Sequence, residues 1–134
     1  MQGKIQVHKT QLNYFRSRSR NSKKEILAFL LGEVTSPTLI KVEKFYYPEL
    51  YTQTGATVKA YLDGAQSMAD KRGLKIVGSI HSHSDWVPIL SPTDYKGHIE
   101  DGDRVSGIVG TNGTRTRVYF WTAESALPLR IEYV

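Results

Sequence analysis

The segment EILAFLLGEV, residues 25–34, determines the architecture, because it is an almost unbroken apolar run in a chain of otherwise mixed polarity. A strand with one face in water alternates apolar and polar residues, whereas a strand covered on both faces is apolar throughout. The run therefore predicts a central strand that is buried on both sides. Gly32 ends its apolar part, and TSPT at residues 35–38 predicts a connection.

The neighbouring segments predict the elements that surround this strand. TLIKVEKFYYP, residues 38–48, alternates and is rich in aromatic residues, so it predicts the partner strand. Near the N-terminus, KIQVH at 4–8 predicts a short strand. KTQLNYFRSR at 9–18 predicts a brief helix or turn whose pattern is lost in the Arg/Ser residues.

An amphipathic helix is predicted after Ala56. Apolar residues recur there at intervals of three and four: Val58, Tyr61, Leu62, Ala65 and Met68. Its predicted end is Lys71-Arg72-Gly73, since basic residues followed by glycine commonly close a helix.

The second half of the chain predicts one more helix among several strands. SPTDYKGHIEDG at 91–102 opens like a helix, with Ser91 at the N-cap and Pro92 in the first turn. Strands are predicted at 74–83, 104–110, 115–123 and 127–134, with Asn112-Gly113 as a hairpin signal. The order β-(α)-β-β-α-β-α-β-β-β predicts a mixed sheet with helices, in a single α/β or α+β domain spanning residues 1–134.

The amino-acid composition limits the kinds of functional site that the chain can form. The chain of 134 residues is 40% hydrophobic and 23% charged, as in an ordinary folded domain. It has no cysteine, which excludes disulfides, thiolate metal sites and cysteine nucleophiles, so a metal would need histidine, carboxylate or carbonyl ligands. The sequence shows neither a signal peptide nor a stretch near the roughly 18 apolar residues of a membrane helix. A cytoplasmic protein without a membrane partner is expected.

The formal net charge of +5 originates at the N-terminus. Residues 1–24 carry seven Lys or Arg and no acidic residue, which leaves 11 basic and 13 acidic residues in the remainder. The segment RSRSRNSKK, residues 16–24, could contact phosphate or an acidic partner, or could be a solvated loop. Nucleic acid is not the expected partner.

Two of the four histidines lie two residues apart in GSIHSHSDWVPILSPTD, residues 78–94. On a strand, His81 and His83 share a face because the side-chain period is two. Their spacing suits a tetrahedral zinc ion with Zn–N distances of about 2.0–2.1 Å. Ser91 and Asp94 are three apart and share a face of the next predicted helix, so Asp94 can be the third ligand.

Three protein ligands leave one position open for water, which is typical of catalytic rather than structural zinc. Zinc lowers the pKa of such a water to about 7, and a nearby carboxylate is needed to accept its proton. Glu25, at the mouth of the apolar strand, is the candidate. Glu33 is a weaker rival, since it lies roughly 26 Å further along a regular strand at about 3.3 Å per residue.

Each of these residues also has an ordinary structural explanation. The histidine pair could arise by chance or lie in a solvated turn, and Ser91 could be only an N-cap. Asp94 could be a first-turn acid favoured by the helix dipole, and Glu25 a charge at a strand end. His98, four residues after Asp94, is read as a surface residue or a neighbour of the site, since a fourth protein ligand would close it. The combination, and no single residue, points to a metal site.

The joint pattern resembles the signature of the JAMM (MPN-plus, Jab1/Mov34) metalloproteases. His81, His83, Ser91 and Asp94 reproduce H-x-H-x(7)-S-x-x-D without a gap. Those enzymes also carry a glutamate seven residues before a glycine that ends an apolar strand, and EILAFLLG at 25–32 matches that spacing. Chain length and element order resemble the family core, so the resemblance covers nearly the whole sequence.

This resemblance implies a cytidine-deaminase-like fold, with a mixed curved sheet flanked by helices, and a zinc-dependent peptidase or isopeptidase with one zinc per chain. His81, His83 and Asp94 would hold the metal, Glu25 would be the general acid/base, and Ser91 would donate to the tetrahedral oxyanion. The implied substrate is a ubiquitin-like or small sulfur-carrier protein cleaved after its C-terminus. A protein partner that activates the enzyme is a further option.

Other features bear on substrate fit. The family usually has proline after the second histidine, where this chain has Ser84, which affects loop shape but not the ligands. Trp86 could line the groove for a substrate tail or could cover the core. The chain has little room for insertions that grip ubiquitin chains, so strong linkage selectivity is not expected.

The alternative function is a non-catalytic MPN-type scaffold or interaction module, although such domains usually lose the ligands that are all present here.

Overall fold

The computed structural model describes residues 3–22, 25–48, 51–54, 57–60, 63–83, 104–122 and 127–134. Within these ranges the chain forms the strands and helices β1 Lys4–Val7, α1 Lys9–Asn21, β2 Leu27–Ser36, β3 Leu39–Tyr46, β4 Tyr51–Thr54, β5 Thr57–Ala60, α2 Asp63–Arg72, β6 Lys75–His83, β7 Val105–Thr111, β8 Thr116–Trp121 and β9 Arg130–Tyr133. No helix in the described part of the chain is long and apolar enough to span a membrane.

Seven strands form one mixed sheet in the order β8-β7-β6-β2-β3-β1-β9, and β4 and β5 form a separate antiparallel pair. Strand β2 lies at the centre, antiparallel to β3 and β6. Strand β6 is parallel to β7, and β1 is parallel to both β3 and β9. The predicted mixed α+β sheet is confirmed, and so is the central position of the strand predicted from residues 25–34.

The two helices cover opposite faces of the sheet, which explains the unbroken apolar run. Alternate residues of the β2 segment enter two different cores. On the α1 face, Ile26, Ala28 and Leu30 pack in one cluster with Leu12 and Phe15 of α1. On the α2 face, Leu27, Phe29 and Leu31 pack with Ala65 and Ala69 of α2. Both sets of side chains are therefore removed from water, and this part of the strand has no polar face, whereas residues 33–35 at its far end are exposed.

The sheet curves until its two edge strands approach each other. The main-chain amide of Leu129, just before β9, donates to the carbonyl of Phe120 in β8 at 2.7 Å. Both side chains are buried in the cluster on the α1 face. The result is a nearly closed, barrel-like sheet whose interior is this cluster.

Helix α1 corrects the prediction for the basic segment. The helix continues to Asn21, so the three arginines at 16, 18 and 20 belong to a helix and not to a loop. Its buried stripe consists of Leu12, Phe15 and Ser19. Because Ser19 is polar, the apolar residues alone indicate a helix that ends one turn too early. The Ser19 hydroxyl is satisfied internally, donating to the Phe15 carbonyl at 2.9 Å.

Two of these arginines bind within the protein. Arg16 donates from Nε to Thr116 Oγ1 at 2.7 Å and from Nη2 to the Thr116 carbonyl at 3.1 Å, which ties α1 to the start of β8. The guanidinium of Arg18 lies over the ring of Tyr47, 4.6 Å from its centroid. Arg20 is exposed. The basic segment therefore stabilises the fold through at least two of its side chains.

The helix predicted after Ala56 begins later than its apolar spacing indicates. Residues 57–60 form β5, paired with β4, and α2 begins at Asp63. Four residues are too few to distinguish a period of 2 from one of 3.6, and Thr57 and Val58 are β-branched residues that favour strands. The predicted end is confirmed, because α2 stops at Arg72 and Gly73 follows with a φ of +66°.

The predicted hairpin between β7 and β8 is confirmed. The side-chain oxygen of Asn112 accepts from the amides of Thr114 and Arg115 at 3.0 and 2.8 Å, and Gly113 has a φ of +91°. The strand predicted at 74–83 is also present, as β6, and the last strand is β9. The helix predicted from Ser91 lies outside the described residues.

Candidate metal centre

The two histidines of the predicted site lie at the end of an interior strand. Strand β6 pairs with β2 on one side and with β7 on the other, so its main chain is held along both edges. His81 is the partner of Leu27 in β2 and of Ile108 in β7, and His83 is the partner of Gly110. A ligand pair on such a strand is positioned by the sheet and not by a loop.

His81 and His83 point to the same side of β6, as predicted, and their rings converge. The two Nε2 atoms are 3.1 Å apart, and the ring centroids are 4.9 Å apart with a tilt of 53°. In a tetrahedral zinc site, two histidine nitrogens at Zn–N distances of about 2.0–2.1 Å lie about 3.3–3.4 Å apart. The observed separation is close to this value, so the imidazole pair fits a shared metal ion.

The same separation also fits a hydrogen bond between the rings. In that arrangement one Nε2–H donates a hydrogen bond and the other Nε2 accepts it. Metal binding requires both nitrogens to be unprotonated, since each must offer a lone pair. The two arrangements therefore differ in tautomer, because the donor ring must carry its proton on Nδ1 instead of Nε2 to bind a metal through Nε2.

Glu25 is brought to the histidines by the register between β2 and β6. The amide of Ser82 donates to the carbonyl of Ile26 at 3.0 Å, directly beyond the Leu27–His81 pair. Glu25 directly precedes Ile26 and therefore lies near the end of β6 that carries His83. Ile26 packs on the α1 face and Leu27 on the α2 face, so alternation places Glu25 on the α2 face with Leu27 and both histidines. The side chain of Glu25 is partly buried.

Glu33, the rival carboxylate, lies at the other end of β2. Its partner is Lys41 in β3, and its neighbour Gly32 pairs with Lys75, the first residue of β6. Glu33 is exposed. The structure therefore brings Glu25, and not Glu33, to the end of β6 that carries the histidines.

Ser91 and Asp94, the other predicted site residues, lie outside the described residues, as does His98. Among the side chains of the described ranges, no three His, Asp or Glu residues form a group that could hold a metal ion. The assignment of Asp94 as third ligand and of Ser91 as oxyanion donor thus stays a prediction from the sequence.

One residue that sequence reasoning treats only as a spacer has a defined role in this site. Ser82, between the histidines, is 3% exposed and points to the opposite face of β6. Its hydroxyl accepts a hydrogen bond from the amide of Ile26 at 2.9 Å. The signal in the sequence was the alternation itself, which places Ser82 in the core, where its hydroxyl must find a partner.

Comparisons with known proteins place the fold. No protein-family model and no curated protein matches the chain. Many solved structures are similar, among them three that match over nearly the whole chain. A protein from Desulfitobacterium hafniense matches at a TM-score of 0.67 and 16% identity, covering 97% of this chain and 92% of that one. A protein from Salinibacter ruber matches at 0.63 and 22% identity, covering 98% and 90%.

The third similar structure is a JAB1/MPN domain protein from Archaeoglobus fulgidus. It matches at a TM-score of 0.60 and 15% identity, covering 96% of this chain and 97% of that one. At such identities the likeness shows the fold alone. The chain therefore has a fold like that of a JAB1/MPN domain protein, as the resemblance in its sequence implies.

Proposed function

We propose that this chain is a zinc-dependent peptidase or isopeptidase that hydrolyses the amide bond after the C-terminus of a ubiquitin-like or small sulfur-carrier protein. The observation that carries the proposal is the convergence of the His81 and His83 Nε2 atoms, 3.1 Å apart, on the side of β6 that register assigns to Glu25. A histidine pair and a carboxylate on one face combine two metal ligands with a proton acceptor.

The proposed roles follow from the chemistry of each side chain. His81, His83 and Asp94 hold one zinc ion, which supplies Lewis-acid polarisation and acidifies water when it is bound. The carboxylate of Glu25 accepts the proton of the attacking water and delivers it to the leaving nitrogen. Ser91 donates a hydrogen bond to the oxyanion that develops on the carbonyl. Glu25 is suited to this role because it stands beside the ligands without being one of them.

The proposed substrate class rests on the resemblance of the motif to the JAMM signature. An extended C-terminal tail can approach a site at a strand end and pair with the main chain by strand addition. An activating protein partner belongs to the same proposal. Nucleic acid is not proposed, because Arg16 and Arg18 already bind Thr116 and Tyr47 within the fold.

The competing function is a non-catalytic scaffold, since the fold alone is compatible with both. A scaffold has no use for two partly buried imidazoles whose nitrogens converge. The sequence favours the enzyme, because every position of the H-x-H-x(7)-S-x-x-D pattern is filled.

Metal content tests the proposal directly. Purified protein, reconstituted with zinc and dialysed, is expected to hold about one zinc per chain, and His83→Ala is expected to hold much less. His8→Ala is the matched control, because His8 is a partly exposed histidine near Glu43, far from β6 in the sheet order. Turnover is then measured on ubiquitin-like domains whose C-terminal glycine is linked to a fluorogenic amine. A wild-type chain that takes up no zinc would leave the scaffold as the function.

A further inference from the structure

Ser82 connects the metal-ligand strand to the segment that carries Glu25. It lies between the two histidines in the sequence but points the other way, into the core on the α1 face. Two hydrogen bonds join it to Ile26: its amide donates to the Ile26 carbonyl at 3.0 Å, and its hydroxyl accepts from the Ile26 amide at 2.9 Å. Ile26 is the residue directly after Glu25.

The hydroxyl replaces a main-chain acceptor at this point. In a regular antiparallel ladder, two opposite residues exchange both of their N–H···O=C bonds. Here the Ile26 amide bonds to a side-chain oxygen instead, and β2 as a regular strand begins only at Leu27. The serine side chain thus extends the pairing by one residue beyond the regular ladder, to Ile26. Ile26 is the residue next to Glu25.

This contact restrains Glu25 more than it restrains the histidines. The histidines are held by main-chain pairing of β6 with β7, where His81 and His83 face Ile108 and Gly110. Glu25 directly precedes Ile26, where the regular ladder of β2 has not yet begun and where both Ser82 bonds hold the main chain.

We infer that Ser82 is a positioning residue, whose hydroxyl fixes the main chain at Ile26 and thereby aims the Glu25 carboxylate at the site formed by the histidines. The inference rests on the proposed function and assigns to the serine between the ligands a task beyond spacing them. Without the hydroxyl, the Ile26 amide loses its acceptor and the chain at Glu25 gains freedom. Displacing a catalytic group by on the order of 1 Å can reduce turnover up to about 100-fold.

The test compares Ser82→Thr with Ser82→Val. Threonine and valine have nearly the same branched shape at this β-strand position, and only threonine keeps the hydroxyl acceptor. Three quantities are measured in the zinc-reconstituted full chain: zinc per chain, hydrogen exchange of the Ile26 amide by NMR, and kcat and KM on the fluorogenic ubiquitin-like amides. Rates are expressed per folded protein.

We expect Ser82→Thr to keep the wild-type kcat, and Ser82→Val to lose about tenfold in kcat with KM and zinc content unchanged. The Ile26 amide is expected to exchange faster in Ser82→Val only. Equal kcat in the two variants would overturn the positioning role while leaving the proposed function intact. Loss of zinc in Ser82→Val would also overturn it, because the hydroxyl would then be holding the ligands. A wild-type chain with no zinc or no turnover would overturn the proposed function itself, and the role of Ser82 with it.

Discussion

Gly32 in β2 lies directly against the main-chain carbonyl of Lys41 in β3, and a Cβ at position 32 would overlap that oxygen. The register between the two strands shifts at this glycine, between Leu31 and Gly32, so the close approach belongs to a bulge. The glycine that completes the E-x(6)-G spacing is therefore required by the sheet itself, about seven residues from Glu25 and with no part in the chemistry.

Gly32→Ala is expected to lower the free energy of unfolding by about 1–3 kcal/mol, because the strand pair must separate to admit the methyl group. Urea denaturation followed by circular dichroism measures the change. Gly73→Asn is the control, since a Cβ at Gly73 meets nothing within 4 Å and asparagine tolerates the positive φ there, so its cost is expected to be under about 1 kcal/mol. If both variants proved equally stable, the close contact with Lys41 would not be the reason for the glycine.

Arg16 is expected to hold α1 against the edge of the sheet. Its two bonds to Thr116 engage a buried hydroxyl and a carbonyl of the edge strand β8. Arg16→Met keeps most of the aliphatic stem and removes both donors, and is expected to cost about 1–3 kcal/mol of stability. Arg20→Met, at an exposed position of the same helix, is expected to change stability by less than about 0.5 kcal/mol. Thermal or urea unfolding of the two variants side by side distinguishes them, and equal losses would contradict an anchoring role for Arg16.

The phenol of Tyr47 is expected to ionise at a higher pH than that of an ordinary tyrosine. Burial raises the pKa of its phenol to about 12, against an opposing effect of the positive charge of Arg18. Its hydroxyl has no hydrogen-bond partner among the described residues. The native state therefore holds the phenolic proton more tightly than the unfolded chain does. The resulting stabilisation is complete below pH 10 and is lost as the pH rises from 10 towards 12.

The absorbance of tyrosinate at 295 nm measures this shift. The difference between the wild-type and Tyr47→Phe titrations is expected to have its midpoint near pH 12 in the folded protein and near pH 10 in concentrated urea. Circular dichroism at each pH verifies that the chain is still folded. A folded-state midpoint near 10 would mean that the ring of Tyr47 is open to water.

Much of the fold follows from local patterns in the sequence, and the exceptions have identifiable causes. The run at 25–34 predicts a central strand because only burial on both faces tolerates such a composition, and the turn at Asn112-Gly113 is encoded by adjacent residues. The apolar pattern does not indicate the end of α1, because a serine, Ser19, takes the third place in its buried stripe. Strand β5 is hidden because it is four residues long and shares its spacing with a helix.

In the candidate site, too, some features follow from local sequence patterns and others depend on how the strands pair. Alternation on a strand is enough to predict that His81 and His83 share a face, because this depends on one strand only. The position of Glu25 depends on the register between β2 and β6, which no local pattern specifies, and only the motif resemblance linked it to the histidines. The bond between Ser82 and Ile26 also depends on that register, so the sequence alone presents Ser82 as a spacer.

Glu25→Gln is expected to abolish turnover and to leave zinc binding unchanged. Glutamine keeps the size and the hydrogen-bonding reach of the side chain but cannot accept the proton of the attacking water, and the loss of a general base typically costs about 100- to 10,000-fold in rate. Zinc content is measured by elemental analysis, and kcat on the fluorogenic ubiquitin-like amides. The matched control is Glu33→Gln, the same substitution in β2 at the end far from the histidines, and it should retain wild-type turnover. Full activity in Glu25→Gln would show that Glu25 is not the general base. Loss of activity in Glu33→Gln alone would assign that role to Glu33, despite its distance from the histidines.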